Sequence, residues 1–324
     1  MTDGLWRPSA TREALVARAQ LLARARTYLA AQGVLEVQTP CVAQAATSDP
    51  QIESLRVHAP EGRPVGYLQA SPEYAMKRLL AAGSGDIYQL GPVFRAGERS
   101  ATHNPEFTLL EWYRQGFDLP ALMRETAGLV LRLLEGWRPP WTVEYLSYRD
   151  AFLRELQLDP FEATNARLGD VAREHGLAPV SLASATRDEL LDFLVATQVG
   201  PRLGAERLTC LHHYPASQAS LAQLDAANPQ TALRFELYGD GLELANGYVE
   251  LADAAEQARR FEADQAERRR RGLAAHAGDA RLLAALQSGL PACAGVAVGF
   301  DRVVMLALGA ARIDAVLALP AERA

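Results

Sequence analysis

The chain is nearly devoid of lysine. Of its 33 basic residues, Lys77 is the one lysine and the rest are arginine, a bias consistent with GC-rich coding. A phosphate-binding P-loop needs a Gly-Lys-Ser/Thr step, and Lys77 follows Met76, so that class is excluded. The chain also lacks Gly-x-Gly-x-x-Gly, His-Glu-x-x-His and Gly-x-Ser-x-Gly. Rossmann dehydrogenases, zincins and α/β-hydrolases lose their support with them. Cysteine is scarce: Cys41, Cys210 and Cys293 are scattered and form no Cys-x-x-Cys pair, which argues against a zinc ribbon or a disulfide scaffold. Three small buried or half-buried side chains in a reducing cytoplasm are expected instead. No apolar run approaches the roughly 18 residues a membrane span requires. Met1-Thr2-Asp3-Gly4 shows no charged segment leading into an apolar stretch, so no secretory leader is expected. The net charge of −6 argues against a general polyanion binder, which needs a surplus of cations.

What is present reads as a folded, soluble chain. Its 324 residues are 49% hydrophobic and 22% charged, enough for a sizeable core in one large domain or two modest ones. Apolar residues Leu15, Ala19, Leu22 and Leu29 recur near a helical period, predicting a helix over 11–31 that stops at Gly33. A short strand at 34–37 ends at Thr39-Pro40, and another is expected at 67–69. Ser71-Pro72-Glu73 then opens a helix, with Ser as cap, Pro in the first turn and Glu at the positive end of the dipole. Residues 87–90 and 106–113 read as strands joined by a polar loop. From about 119 to 205 the pattern turns helical, as an insertion. Strands return at 208–213, 232–238 and 242–249, followed by a charged helix at 253–271. Residues 295–308 switch from strand to helix near Gly299. Adjacent, hairpin-like strands favour an antiparallel sheet and the α+β class, in a single domain spanning 1–324.

Three segments carry chemistry. Residues 94–114 place Arg95 at the end of one strand and Asn104-Pro105-Glu106-Phe107 at the start of the next. That suits an anion clamp with an aromatic face, the guanidinium gripping phosphate and Phe107 stacking on a base. In Glu243-Leu244-Ala245-Asn246-Gly247-Tyr248-Val249-Glu250, a bulge at Asn246-Gly247 would bring both glutamates to one face, where paired carboxylates share Mg²⁺ with phosphates. Gly295 to Arg302 combines small residues, which allow close approach to the backbone, with an arginine in a helix's first turn. Each segment alone also fits an ordinary solvated hairpin, a pair of exposed edge glutamates, or a buried strand-to-helix turn with a surface arginine.

Taken in order, the segments resemble the signature motifs of class II aminoacyl-tRNA synthetases: Thr39-Pro40 motif 1, residues 94–114 motif 2, residues 295–302 motif 3. Ser71-Pro72-Glu73, His103 to Thr108 and Glu243 to Glu250 bring the resemblance closer to lysyl-tRNA synthetases. The first core helix begins by about residue 11, so an N-terminal OB-fold that reads an anticodon is not expected. That brevity, the Pro215 to Ser220 segment, and Ala297 in place of glycine resemble the short synthetase paralogues that attach (R)-β-lysine to a lysine of elongation factor P.

The resemblance implies ATP and Mg²⁺ as cofactors, an aminoacyl-adenylate intermediate, a cytoplasmic homodimer without membrane contact, and a protein partner in place of tRNA. Residue by residue, it implies that Arg95 grips the α-phosphate and Arg302 the γ-phosphate, while Phe107 and Asn104 hold the nucleotide. Ala96, Gly97 and Glu98 would bind ATP, either Glu98 or the backbone near Gly97 contacting adenine, and Leu244 and Gly299 would line the nucleotide site. Glu243 and Glu250 would engage Mg²⁺. Ser71, Pro72, Glu73, Tyr113, Asn246, Glu250 and Ala297 would recognise the amino acid. Arg95, Arg302, Glu243 and Glu250 form the implied catalytic set. One departure stands out: the family pattern is Arg-x-Glu, whereas here Glu98 lies one position further along in Arg95-Ala96-Gly97-Glu98. A truncated synthetase that charges tRNA and an inactive amino-acid sensor remain the alternatives. The Arg268 to Arg271 run is expected to be a solvated helix face.

Overall fold

A computed structural model describes residues 6–324; Met1 to Gly4, read above for a leader, lie outside the described residues. In chain order the elements are α1 (Arg12–Ala31), β1 (Leu35–Glu36), β2 (Val42–Ala43), β3 (Arg56–His58), β4 (Pro64–Leu68), α2 (Glu73–Ala81), β5 (Ile87–Phe94), β6 (Glu106–Gln115), α3 (Leu119–Leu134), β7 (Val143–Ser147) and α4 (Tyr148–Leu156). There follow α5 (Asn165–Glu174), α6 (Pro179–Ser184), α7 (Arg187–Leu194), β8 (Leu208–Pro215), β9 (Thr231–Gly239), β10 (Leu242–Val249), α8 (Ala254–Arg270), α9 (Ala280–Gly289), β11 (Cys293–Gly299) and α10 (Phe300–Leu308). No described helix is long and apolar enough to cross a membrane.

An eight-stranded sheet in the order β1-β5-β6-β11-β10-β9-β8-β7 organises the α+β fold. From β5 to β8 every neighbour is antiparallel, as hairpin-like strand pairs require. The two edge strands, β1 and β7, instead pair in parallel. One sheet face is covered by α1, α3 and α10, whose Leu21, Leu29, Leu129, Val130, Leu133, Val303 and Val304 are fully buried with Trp112, Phe235 and Val298 from the strands. Helix α1 starts at Thr11, whose hydroxyl accepts from Ala14 N. Its buried stripe is Ala14, Ala17, Leu21, Ala25 and Leu29. The face is therefore rotated from the expected one, and Ala19 is exposed.

The helical stretch after residue 119 divides. α3 is not part of an insertion, because its apolar face closes the main core, and Val143–Ser147 is a sheet strand. The inserted unit is α4 to α7, which bury Tyr148, Phe152, Leu168, Leu190, Leu191 and Leu194 against β8 in a second core. Cys210 and Cys293 are buried, whereas Cys41 is exposed, contrary to the expectation for all three.

Candidate active site

Strand register decides which side chains share the site. In β11, Gly295, Ala297 and Gly299 face one side and stand opposite Tyr113, Glu111 and Leu109 of β6. Across the other edge, Gly295 pairs with Tyr248 and Ala297 with Asn246 of β10. Those residues pair in turn with Arg234 and Glu236 of β9. The small β11 residues form the floor of a trough between larger neighbours, and a cavity of about 760 Å³ fills it.

The irregularity in β10 falls between Glu243 and Ala245, not at Asn246-Gly247. The extra residue, Leu244, is buried, and Glu243 comes opposite Tyr238 while Asn246 comes opposite Glu236. Glu243 and Glu250 thus both reach the cavity, but seven residues of strand separate them by roughly 20 Å. They cannot close on one cation, so the expectation of a shared Mg²⁺ is corrected. The carboxylate that accompanies Glu243 is Glu236, two positions along β9 from the Tyr238 that Glu243 faces. Burial raises the Glu243 pKa, and Glu236 raises it further against the opposing pull of Arg302.

One end of the trough is lined by arginines. Arg302 stands in the first turn of α10, where Nη1 donates to Glu243 O at 2.8 Å and Nη2 meets His103 Nε2 at 2.7 Å. Burial and Arg302 itself hold the His103 pKa below its usual value, leaving a neutral ring to accept that bond. The neighbouring Asp301 is buried, ion-paired to Arg18, and accepts from Thr108 N at 2.7 Å, tying α10 to β6. Arg95 lies 5.1 Å from the Phe107 ring centroid and 3.6 Å from Glu98. Arg234 spans three groups: Asn246 Oδ1 at 3.2 Å, Gln218 O at 2.7 Å and Glu236 Oε1 at 2.7 Å.

The displaced Glu98 lines the cavity beside Arg95. Gly97 has φ +77°, a left-handed turn that absorbs the shifted position. Ala96, Gly97 and Pro72 stand outside the cavity lining. Ala96 N is bonded to Glu53 O at 2.8 Å, and buried Pro72 opens α2. Asn104 lines the cavity, but its amide is held by Glu106 O at 2.6 Å and Ala321 N at 3.1 Å, fixing the ends of the loop.

The other end is acidic and closed. Ser71 Oγ donates to Glu111 Oε2 at 2.7 Å and accepts from Glu73 N at 3.0 Å, so it serves α2 from one residue before the Pro72 N-cap. Tyr113 donates to Glu111 Oε1 at 2.7 Å, and Tyr248 to Glu73 Oε1 at 2.8 Å. Lys77, 1% exposed, lies 2.7 Å from Glu73 Oε1 and 2.5 Å from Glu250 Oε2. Burial pushes the Glu250 carboxyl up, Lys77 holds it down, and Glu73 and Glu111 push it up again. Burial, then Glu73, raises Glu111 to about 7.

The family model for class II tRNA synthetases (D, K and N) matches residues 4–323. The chain belongs to that family. Curated relatives named elongation factor P–(R)-β-lysine ligase are 45% identical over 324 residues, covering 98% of each chain, in Photorhabdus laumondii, Yersinia enterocolitica and Proteus mirabilis. The match of this class II synthetase chain to its family runs through the region between 115 and 205, which carries none of the signature motifs.

Sequence reading passed over several residues of the synthetase site: Lys77, His103, Glu111, Arg234, Glu236 and Tyr248. Glu111 was detectable as the residue two before Tyr113, on the same strand face. Glu236 required knowing that β9 and β10 form a hairpin with a bulge. The Arg268 to Arg271 run also differs from expectation. Arg268 is fully buried and donates to Ala274 O at 2.7 Å, Asp49 O at 3.1 Å and Ile52 O at 3.0 Å, besides pairing with Glu53. It clamps the 49–53 segment that walls the cavity, while Arg270 and Arg271 pair with Glu189 of α7.

Proposed function

We propose that this chain activates (R)-β-lysine with ATP and transfers the aminoacyl group to the side-chain amine of a lysine of elongation factor P. One observation carries the reading: a single trough holds arginines at one end and a closed carboxylate cluster at the other. A nucleotide fits the first end. An amino acid bearing ammonium groups fits the second. The relatives' name supplies the particular amino acid and acceptor.

In this reading Arg95, Arg302 and Arg234 bind and orient the triphosphate, and Phe107 offers its face to adenine. Glu73 and Glu250 take the substrate ammonium groups, which aims its carboxylate along the trough toward the α-phosphorus. The carboxylate is ionised at neutral pH, so attack needs no general base. The carboxylate–phosphorus bond forms, pyrophosphate leaves, and catalysis consists of positioning and charge neutralisation. In the second half-reaction the acceptor amine attacks the acyl carbon, an amide forms and AMP departs. Glu243 would hold Mg²⁺, with Glu236, whose two oxygens accept from Arg234 and Tyr238 at 2.7 Å, beside it. Their placement beside three arginines suits a cation sharing its shell with phosphate oxygens. The metal supplies Lewis-acid charge neutralisation.

A net charge of −6 disfavours tRNA as the acceptor. The 34–40 segment at the β1 edge, with Leu35 exposed, is the proposed dimer surface. Light scattering that gives the monomer mass at micromolar concentration would remove that assembly. The central test is incubation with ATP, Mg²⁺, (R)-β-lysine and elongation factor P, followed by intact-mass measurement. One added β-lysyl group on the factor is the expected result. An unmodified factor, with tRNA charged efficiently at physiological salt, overturns the acceptor.

A further inference from the structure

Lys77 has no place in the chemistry above, yet its setting is unusual. The chain uses arginine for every other basic residue, and keeps its one lysine at a position 1% exposed between two carboxylates. A guanidinium is a planar fork suited to one carboxylate or phosphate; an ammonium is a compact point charge with three donors. In a chain with so strong a preference for arginine, this position selects the ammonium.

Both donors that reach Glu73, Lys77 Nζ and Tyr248 OH, fall on Oε1. Among the described residues Oε2 receives no bond. Glu250 is 2% exposed and neither oxygen has a hydrogen-bond partner: Oε2 is held only by the ion pair with Lys77, and nothing meets Oε1. That oxygen lies in the space left by the missing side chain of Gly295 on the cavity floor. A buried carboxylate oxygen without a donor is costly, so it marks where a ligand's donor belongs. The charges agree. Three carboxyls, Glu73, Glu111 and Glu250, face one ammonium, and when ionised they leave two negative charges unmatched.

We propose that Lys77 is a positioning residue, a built-in ammonium that bridges Glu73 and Glu250 and fixes both carboxyls toward the cavity, so that the pocket is completed only by a substrate bringing two further ammonium groups. The inference rests on the activation reading above and adds the origin of selectivity for diamino over monoamino acids. A substrate with one ammonium leaves a buried carboxylate unpaired. Without Lys77 the two carboxyls lose the group that bridges them, and the arrangement that rejects the monoamino acid is lost.

The test is pyrophosphate exchange by the full chain with (R)-β-lysine and with 3-aminohexanoate, which lacks the terminal ammonium. Lys77→Met should raise KM for β-lysine about tenfold or more, leave KM for ATP within about twofold, and shrink the preference for β-lysine over the monoamino acid. Lys77→Arg should not restore the preference. Lys77→Ala should regain it when propylamine is added, which a purely structural role would not produce. Wild-type KM and preference in Lys77→Met or Lys77→Arg overturns the proposal, as does a loss confined to kcat. Variants that all fail to fold, with or without propylamine, reduce Lys77 to a structural role and overturn it too. Absence of exchange by the wild type with every lysine isomer instead removes the activation reading itself.

Discussion

Gly295→Ala isolates the substrate end of the trough with a single methyl group. A Cβ at position 295 would lie 2.4 and 2.5 Å from Tyr113 ring carbons and 2.5 Å from Glu250 Oε1. Ordinary carbon contacts are about 3.5–4.0 Å, so something must move. β11 is held on both sides by β6 and β10, which keeps its backbone in place. Tyr113 is 2% exposed with its hydroxyl on Glu111, and Glu250 is equally buried against Lys77. The ring and the carboxylate must therefore shift into the space the substrate needs. Overpacking of this kind costs about 1–3 kcal/mol, which lowers Tm by several degrees. The same displacement should raise KM for the amino acid about tenfold or more, a loss of about 1.4 kcal/mol per decade. KM for ATP, bound at the other end, should stay within about twofold. Gly299→Ala is the steric control. Its Cβ would meet Arg302 Cδ at 3.6 Å and Leu244 O at 3.8 Å, ordinary contacts, so its Tm should match the wild type. Thermal melting and pyrophosphate exchange with each substrate varied in turn give all the quantities. A Gly295→Ala protein with wild-type KM for the amino acid, or with both KM values raised alike, refutes the assignment of the two ends.

Other substitutions probe other parts. Arg302→Ala should lower activation by roughly 10²–10³-fold, as for loss of one preorganised donor; wild-type rates would remove Arg302 from the phosphate site. Glu236→Gln and Glu243→Gln should each raise the Mg²⁺ concentration for half-maximal rate, whereas Glu250→Gln should raise KM for the amino acid at saturating Mg²⁺; the reverse pattern would restore Glu250 as the metal partner. Ala297→Gly should lower the β-lysine to α-lysine ratio of kcat/KM by about tenfold or more, since one methyl in a pocket is worth roughly 1–3 kcal/mol. A change below about twofold would move that selectivity to Ser71, Glu73 and Tyr113. Arg268→Met should destabilise the fold by about 3 kcal/mol or more, because three backbone carbonyls and Glu53 lose their donor. An unchanged Tm in that variant would show that the 49–53 wall holds without it.

Local patterns were legible in the sequence where one element decides them. The α2 start, the β5–β6 hairpin and the β11-to-α10 switch follow from turn chemistry and periodicity, and all three appear. The α1 stripe was misread because Leu15 and Leu22 are larger than the alanines that face the core, and burial here follows the four-residue step through Ala17, Leu21, Ala25 and Leu29. α3 was assigned to the insertion because a helical pattern does not say which core it closes. Arg268 was read as solvated because charge in a helix predicts exposure unless a loop from elsewhere in the chain caps it, and the 49–53 loop is more than two hundred residues away. The pairing of Glu236 with Glu243 depends on a bulge at Leu244, two residues before the position the sequence suggests.

That bulge explains how one short strand serves both ends of the site. In a regular strand Glu243 and Glu250, seven positions apart, would face opposite sides. The inserted Leu244 restores them to one face while the strand's length keeps them apart, so Glu243 works among arginines and Glu250 beside Lys77. Neither environment is a source of stability. Buried ion pairs are often matched or bettered by apolar packing of the same volume, and the Glu73–Lys77–Glu250 cluster leaves a buried carboxylate oxygen without a donor. A fold selected for stability alone would fill that space with leucine. The cluster is retained where β11 has narrowed to glycine and alanine, and there its charge is exposed to whatever occupies the trough. Its two negative charges beyond Lys77 make the acidic end, on the proposed reading, the place where a substrate's ammonium groups would contribute most.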